Sequence, residues 1–128
     1  AVLCIGETLE ERESGNTFSV LEKQITKGLS QVTTEEMQQV VIAYEPVWAI
    51  GTCKTATKEQ AQEAHDFIRR LIENLFEKGV AEELRILYGG SVKPVNIDEI
   101  MAQADIDGAL VGGAALDAES FGRIINFK

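Results

Sequence analysis

Val40-Val41-Ile42-Ala43-Tyr44-Glu45-Pro46-Val47-Trp48-Ala49-Ile50-Gly51-Thr52 is the stretch on which the rest of the sequence turns. It begins as a continuous apolar run, β-branched at Val40, Val41 and Ile42. Such a run suits a strand buried on both faces of a parallel sheet. Proline has no N–H to give to a ladder, so the strand is expected to stop near Glu45. A lone carboxylate then stands at the C-terminal tip of a buried parallel strand, the end where parallel α/β folds keep ligand and catalytic groups. Taken alone, Glu45 is as readily a solvated acid at a strand end. The segment that follows is apolar but broken by Gly51. It makes a poor helix and a poor core strand, and reads as a loop that covers something.

Working outward, the same alternation recurs along the chain. Residues 1–5 read as a buried strand, and the charged residues 8–13 as a short helical turn. Ser14-Gly15-Asn16 carries turn chemistry. Phe18, Leu21, Ile25, Leu29 and Val32 recur at steps of three and four, which predicts a helix over 17–31 with a weak last turn at Gly28. Thr57 and Gln60 have capping-box spacing, opening a helix predicted over 58–78 and ended by Gly79. Its apolar face carries Ala61, Ala64, Ile68, Leu71, Ile72, Leu75 and Phe76. Residues 85–88 and 108–111 read as further strands. A short helix is predicted over 94–102, and Asp117 is expected to cap a final helix running to about residue 126. Four successive strand–helix units predict a parallel sheet in a single domain, 1–128. Periodicity alone does not separate a doubly wound sheet from barrel segments.

Composition narrows the function. The chain has 128 residues, 45% of them hydrophobic, with 12 Lys and Arg against 21 Asp and Glu and a net charge of -9. That balance argues against nucleic acid and anionic membrane surfaces as partners. A phosphorylated ligand would need a site made locally, and backbone N–H groups can make one without formal charge. Cys4 and Cys53 have no metal-ligand spacing. Cys4, in an apolar run, is expected to be a buried free thiol in a reduced, cytoplasmic setting. No apolar run approaches a membrane span and no signal peptide is visible. The chain opens inside a strand, which reads as truncation.

Three motifs then decide the reading. Ala43-Tyr44-Glu45-Pro46-Val47-Trp48-Ala49-Ile50-Gly51-Thr52 resembles the catalytic-glutamate and lid segment of triosephosphate isomerase. Tyr88-Gly89-Gly90-Ser91-Val92 and Gly108-Ala109-Leu110-Val111-Gly112-Gly113-Ala114 resemble two further segments of that family, in the same order and spacing. Each glycine pair, taken singly, is an ordinary turn. Two pairs at the ends of successive strands favour a phosphate cradle. The family folds as a closed (β/α)8 barrel of roughly 250 residues. This chain resembles its second half, so the resemblance implies four βα units of a TIM barrel.

The resemblance also implies chemistry. The reaction is the interconversion of dihydroxyacetone phosphate and glyceraldehyde 3-phosphate in glycolysis and gluconeogenesis, without metal or organic cofactor. Glu45 matches the base, and desolvation would strengthen a carboxylate for that task. Ile50 and Leu110 match apolar residues that close over the carboxylate. Residues 46–56, Thr52 among them, match the lid that excludes water and limits phosphate loss from the enediolate. Gly51, Ser91, Gly112 and Gly113 match positions whose amides surround the phosphate. Tyr88 and Ser91 match residues that hold the closed lid, and Glu7 and Trp48 a pair associated with the open lid. Cys4 matches a thiol packed near the glutamate, read here as inert packing. His65 lies within the long helix and is expected at its surface or in packing; it does not match the family's electrophilic histidine.

Two departures stand out. Cys53 replaces a glycine usual in the family's lid, which predicts backbone strain there and an exposed thiol if the position needs positive φ. The electrophilic histidine, the substrate-contacting asparagine and lysine, and the main dimer loop of the homodimeric family belong to its first half. The expected partners are therefore triose phosphate and either the missing N-terminal half-barrel or a second copy. The chain alone is expected to be inactive. The rival reading is a non-catalytic half-barrel that binds phosphate or only assembles. Half of another phosphate-binding barrel enzyme fits the lid segment less well.

Overall fold

Strand β1 (Val2–Ile5), β2 (Val41–Tyr44), β3 (Arg85–Tyr88) and β4 (Gly108–Ala109) lie side by side as one parallel sheet in the order β1-β2-β3-β4. The computed structural model describes residues 1–52 and 54–128, so the expectations attached to Cys53 fall outside it. Register sets two rows of side chains. Ile5 lies opposite Tyr44, Tyr44 opposite Tyr88, and Tyr88 opposite Ala109. One step back, Cys4, Ala43, Leu87 and Gly108 form the neighbouring row. Because side chains alternate across a strand, the two rows point to opposite faces.

Helices connect the strands. Helix α1 (Leu9–Glu13) starts at a capping box, with the Glu11 amide donating to Thr8 Oγ1 (3.3 Å) and the Thr8 amide to Glu11 Oε2 (2.8 Å). Helix α2 (Thr17–Gly28) buries Leu21 and Ile25 and ends before the expected residue 31. Gly28, a weak helix former, is its last residue, and the chain passes through Leu29 into a turn. A short 3-10 turn (Glu36–Gln39) precedes β2 and was not anticipated from the sequence. Helix α3 (Lys58–Leu75) opens on the predicted Thr57–Gln60 box. Its end differs from expectation. The chain leaves the helix at Phe76, turns extended at Glu77, and starts helix α4 (Lys78–Glu83) with Gly79 inside it. Gly79 is not among the positive-φ glycines, so it does not terminate α3. Helix α5 (Ile97–Met101) and helix α6 (Ala118–Ile125) complete the chain, α6 capped as predicted by Asp117, which accepts from the Ser120 amide.

The core forms on one face of the sheet. Ile5, Ile42, Tyr44, Ile86 and Tyr88 join Leu21, Ile25, Ile68 and Ile72 in one cluster of buried side chains. The opposite face is unevenly covered. Ala43 is buried between its neighbours, but Val2 is 55% exposed, Cys4 is exposed, and Val41 and Leu87 are only half-buried. The central run is buried as expected at Ile42, Ala43 and Tyr44, with Val41 half-buried. Two expectations are corrected here: β1 is not a buried strand, since Val2 and Cys4 are exposed, and Cys4 is therefore not a buried thiol. An apolar strand residue is buried only if something lies on its side of the pleat. The 14.0 kDa chain presents 7428 Å² of surface, whereas a compact monomer of that mass presents about 6,700 Å². Leu75, predicted on the core face of α3, is also 43% exposed.

Arg69 ties the second half together. Its guanidinium pairs with Asp105 (2.9 Å) and Asp107 (2.7 Å) and donates to the carbonyls of Ala81 (2.6 Å) and Leu84 (3.1 Å). One side chain on α3 thereby holds α4 and the approach to β4. This planar five-donor fork suits arginine and not lysine. Close by, His65 is fully buried, so of its two expected placements the packing one holds. Its Nδ1 lies 3.2 Å from the Asp105 carbonyl, which requires Nδ1 to carry the proton. Nε2 has no hydrogen-bond partner among the described residues. Burial above all pushes its pKa down, to about 4.

The sign of that shift gives a test. A histidine whose folded pKa lies below its unfolded value of about 6.5 stabilises the fold at neutral pH, and the contribution fades as pH falls through 6.5 toward 4. The full effect is about 3 kcal/mol. Denaturant titrations between pH 7 and 4 should show a shallower acid-side loss of stability for His65→Gln than for the parent chain. Identical slopes would assign the acid sensitivity elsewhere.

Candidate active site

Hydrogen bonding continues past the strand ends. The amide of Glu45 donates to the Ile5 carbonyl (2.7 Å), that of Gly89 to Tyr44 (2.8 Å), and that of Leu110 to Tyr88 (2.9 Å). These three bonds place Glu45, Gly89 and Leu110 in a row at the C-terminal edge of the sheet. Pro46 then ends the ladder for β2, as expected. Glu45 is half-buried. Its side chain lies so near β3 that a Cβ on Gly89 would come within 2.5 Å of Glu45 Cγ. Any other residue at 89 would displace the carboxylate, a closer constraint than an ordinary turn imposes. Cys4, in the row on the uncovered face, lies beside Glu45. Its thiol pKa is raised, first by a hydrogen bond with Glu45, then by burial and by the carboxylate's charge.

The row floors an open pocket of about 770 Å³. Glu45, Ile50, Gly51, Thr52, Ser91, Leu110, Gly112 and Gly113 all line it, so most of the sequence-derived site residues converge on one concavity. Gly51 has φ +63°, a left-handed conformation that glycine adopts without strain. Gly112 and Gly113 are exposed at the start of a 3-10 turn (Gly113–Leu116). Lys93, in the loop after β3, adds the wall's one cationic side chain among the described residues.

Glu7, Trp48 and Tyr88 lie behind this wall. Glu7 is fully buried yet well partnered. Arg12 donates to it at 2.8 Å, the Trp48 indole at 3.0 Å, and the Tyr44 hydroxyl sits 3.1 Å from both oxygens. Arg12 also stacks over the Trp48 ring, 4.9 Å from its centroid. A buried carboxylate stripped of such partners would cost several kcal/mol, so the cluster holds together as a unit. Burial and then the Glu7 charge hold the Tyr44 hydroxyl well above the ordinary phenol range. Trp48 belongs to a 3-10 turn (Val47–Ala49), followed by Thr52, whose hydroxyl donates back to the Trp48 carbonyl (2.8 Å). Tyr88 is fully buried; its hydroxyl has no partner among the described residues, and burial pushes its pKa up to about 12.

Sequence reading missed Tyr44 and Arg12 as members of this cluster. Tyr44 left one signal, a hydroxyl at the end of an otherwise apolar strand, where a buried phenol requires a partner. Arg12 left none, because its contact with Trp48 spans α1 and the 3-10 turn after Glu45. His65 packs between Tyr44 and Tyr88, with centroids 5.8 and 6.3 Å away, and does not line the pocket. Among the described residues no group of three or more His, Cys, Asp or Glu is placed to hold a metal ion, and no helix is long and apolar enough to cross a membrane.

Comparison with known proteins agrees with this geometry. A family model described as triosephosphate isomerase matches residues 1–128. A triosephosphate isomerase of Syntrophotalea carbinolica is 62% identical over all of this chain and 51% of its own length. Those of Geotalea uraniireducens and Geobacter metallireducens are 62% and 61% identical over 99% of this chain, again covering 51% of their own length. The chain thus spans about half the length of the curated relatives it matches. The parallel four-stranded sheet with its helices is half of a TIM barrel, and the chain belongs to the triosephosphate isomerase family.

Proposed function

We propose that this chain, as one folding unit, supplies the base and the phosphate cradle of a triosephosphate isomerase. The observation that carries the reading is the convergence of Glu45 with Gly51, Ser91, Gly112 and Gly113 on one pocket at the C-terminal edge of the sheet. Glu45 takes a proton from the carbon beside the substrate carbonyl and returns it to the adjacent carbon. Dihydroxyacetone phosphate becomes glyceraldehyde 3-phosphate, and the carboxylate ends as it began. Amides at Gly51, Ser91, Gly112 and Gly113 hold the phosphate, and Ile50 and Leu110 close over the carboxylate to exclude water. The same proposal includes a glycolytic and gluconeogenic role, a cytoplasmic setting and a homodimeric complete enzyme, all supported by the family resemblance.

The lid reading rests on two groups. The Trp48 indole is bound to Glu7, the pairing associated with an open lid. The Tyr88 hydroxyl is buried and has no partner among the described residues, as expected of a group that bonds the lid only when it closes. A buried hydroxyl without a partner is costly, so closure that satisfies it recovers free energy. With His65 held in the core, the group that polarises the substrate carbonyl must come from the complementary half-barrel.

A second reading is favoured by the unevenly covered sheet face: this chain assembles, with its own kind or with four further strands, and has no activity alone. Activity separates the two. The chain by itself should isomerise triose phosphate at no more than background, and should sediment as a self-associated or expanded species. Joined to the first half of the Syntrophotalea carbinolica relative, it should gain compactness and activity together. Full activity from a monomeric, cooperatively unfolding 128-residue chain would overturn the proposal.

In that joined protein, Glu45→Asp withdraws the carboxylate by one methylene. Misplacement on that scale costs on the order of a hundredfold in turnover. Steady-state kinetics should show the loss in kcat, with KM changed far less. Equal turnover for the two proteins would remove Glu45 from the role of base.

A further inference from the structure

Lys93 stands on the pocket wall opposite in charge to everything else ionised there. Glu45 is the one acidic residue lining the pocket among the described residues, and Lys93 the one cation. Several other cations are engaged: Arg12 with Glu7, Lys58 with Glu99, Arg69 with Asp105 and Asp107, and Arg123 with Asp98. Lys93 forms no ion pair among the described residues. Its side chain is exposed, but its backbone is fixed. The Lys93 amide donates to Asn96 Oδ1 (2.7 Å), and its carbonyl accepts from the amides of Asn96 (3.1 Å) and Ile97 (3.2 Å). Asn96 Nδ2 also donates to the Ser91 carbonyl (2.8 Å). One asparagine side chain therefore staples the loop at Ser91 and Lys93, the two residues by which that loop faces the pocket with polar groups.

We propose that Lys93 is the formal positive charge that this half contributes to the phosphate end of the pocket, presented by a loop that Asn96 holds in place. The ligand class is a phosphate monoester dianion. The proposal rests on the reading of the pocket as a phosphate site and adds a residue that the cradle does not contain. Its physical basis is the charge balance. The chain carries a net charge of -9, and Glu45 adds a carboxylate inside the pocket, so an approaching dianion meets repulsion. Backbone amides offer only partial charges. A single ammonium on the wall reverses the local sign where the anion enters. Because Lys93 is exposed and flexible, it acts through its field and not through a fixed contact. Its effect falls on association, and salt screens it. Asn96 is a positioning residue: without its side chain the Ser91 carbonyl and the Lys93 amide lose their partner, and Lys93 keeps only the bonds to its carbonyl.

The test uses inorganic phosphate and the amide resonances of Ser91, Gly112 and Gly113, followed by NMR in the chain joined to the first half of its relative. Lys93→Gln should weaken phosphate binding about threefold at low ionic strength, the scale of one exposed charge pair. The difference should vanish at about 0.5 M salt, and Lys93→Arg should restore the parent affinity. Asn96→Ala should lose part of the salt-sensitive binding in the parent but none in the Lys93→Gln background. The same substitutions in that joined protein should raise KM for triose phosphate more than they lower kcat, again in a salt-dependent way. Unchanged phosphate affinity and KM for Lys93→Gln at low salt would overturn the Lys93 assignment while leaving the cradle standing. Absence of any phosphate-induced shift at Gly112 and Gly113, in a joined protein whose KM resists both salt and Lys93→Gln, would overturn the phosphate reading and this proposal together.

Discussion

Three backbone hydrogen bonds beyond the formal strand ends, Glu45 to Ile5, Gly89 to Tyr44 and Leu110 to Tyr88, fix the geometry on which the site depends. In a parallel ladder each strand delivers its next residue to the same edge. The bonds therefore set an acid, a glycine and an apolar residue in one row without help from any side chain. Glycine at 89 is what lets the acid lie against its neighbour. The loops carrying Gly51, Ser91 and the Gly112–Gly113 pair leave from this row and converge because their points of departure are already aligned.

Two polar hubs brace that row from behind, and they differ in what they hold. Arg69 spends its fork on carboxylates and carbonyls of the α4 and β4 approaches, so its work is structural. Glu7 gathers Arg12, Tyr44 and Trp48, joining α1, β2 and the segment that follows Glu45. In the second hub Trp48 contributes only one of the donors to Glu7. Glu7 would keep Arg12 and Tyr44 if the indole left, so no bare buried carboxylate would result.

The sheet's two faces are unequally covered. On the helix side, Tyr44 and Tyr88 are fully enclosed with Ile42 and Ile86. On the other side Val2 and Cys4 meet solvent. Burial of apolar surface scales with area, at roughly 25 cal/mol per Å², so the chain realises its stabilisation mainly from one layer. The same asymmetry leaves Glu45 half-buried at the pocket floor, since the face it shares with Cys4 is the less covered one.

The sequence by itself determined a good deal: the strand before Glu45, its stop at Pro46, the Thr57–Gln60 and Asp117 caps, the parallel order of four strand–helix units and the residues that meet in the pocket. Each follows from local chemistry or from a motif whose wording is specific. Tertiary structure decided the rest. Gly79 lies inside a second helix, whose Ala81 carbonyl and the following Leu84 carbonyl accept from Arg69, a contact between residues remote in sequence. Cys4 is exposed because apolar character in a strand says nothing about whether its face is covered. His65 is buried because the core of α3 needed a ring that could edge onto Tyr44 and bond the Asp105 carbonyl. Arg12 joins Trp48, and Asn96 staples Ser91 to Lys93, through contacts that depend on where whole elements sit. Local pattern specifies what an element is and which way it faces. Which long polar side chains find one another is settled only when the elements pack, since buried charge and hydrogen-bonding groups must then be satisfied together.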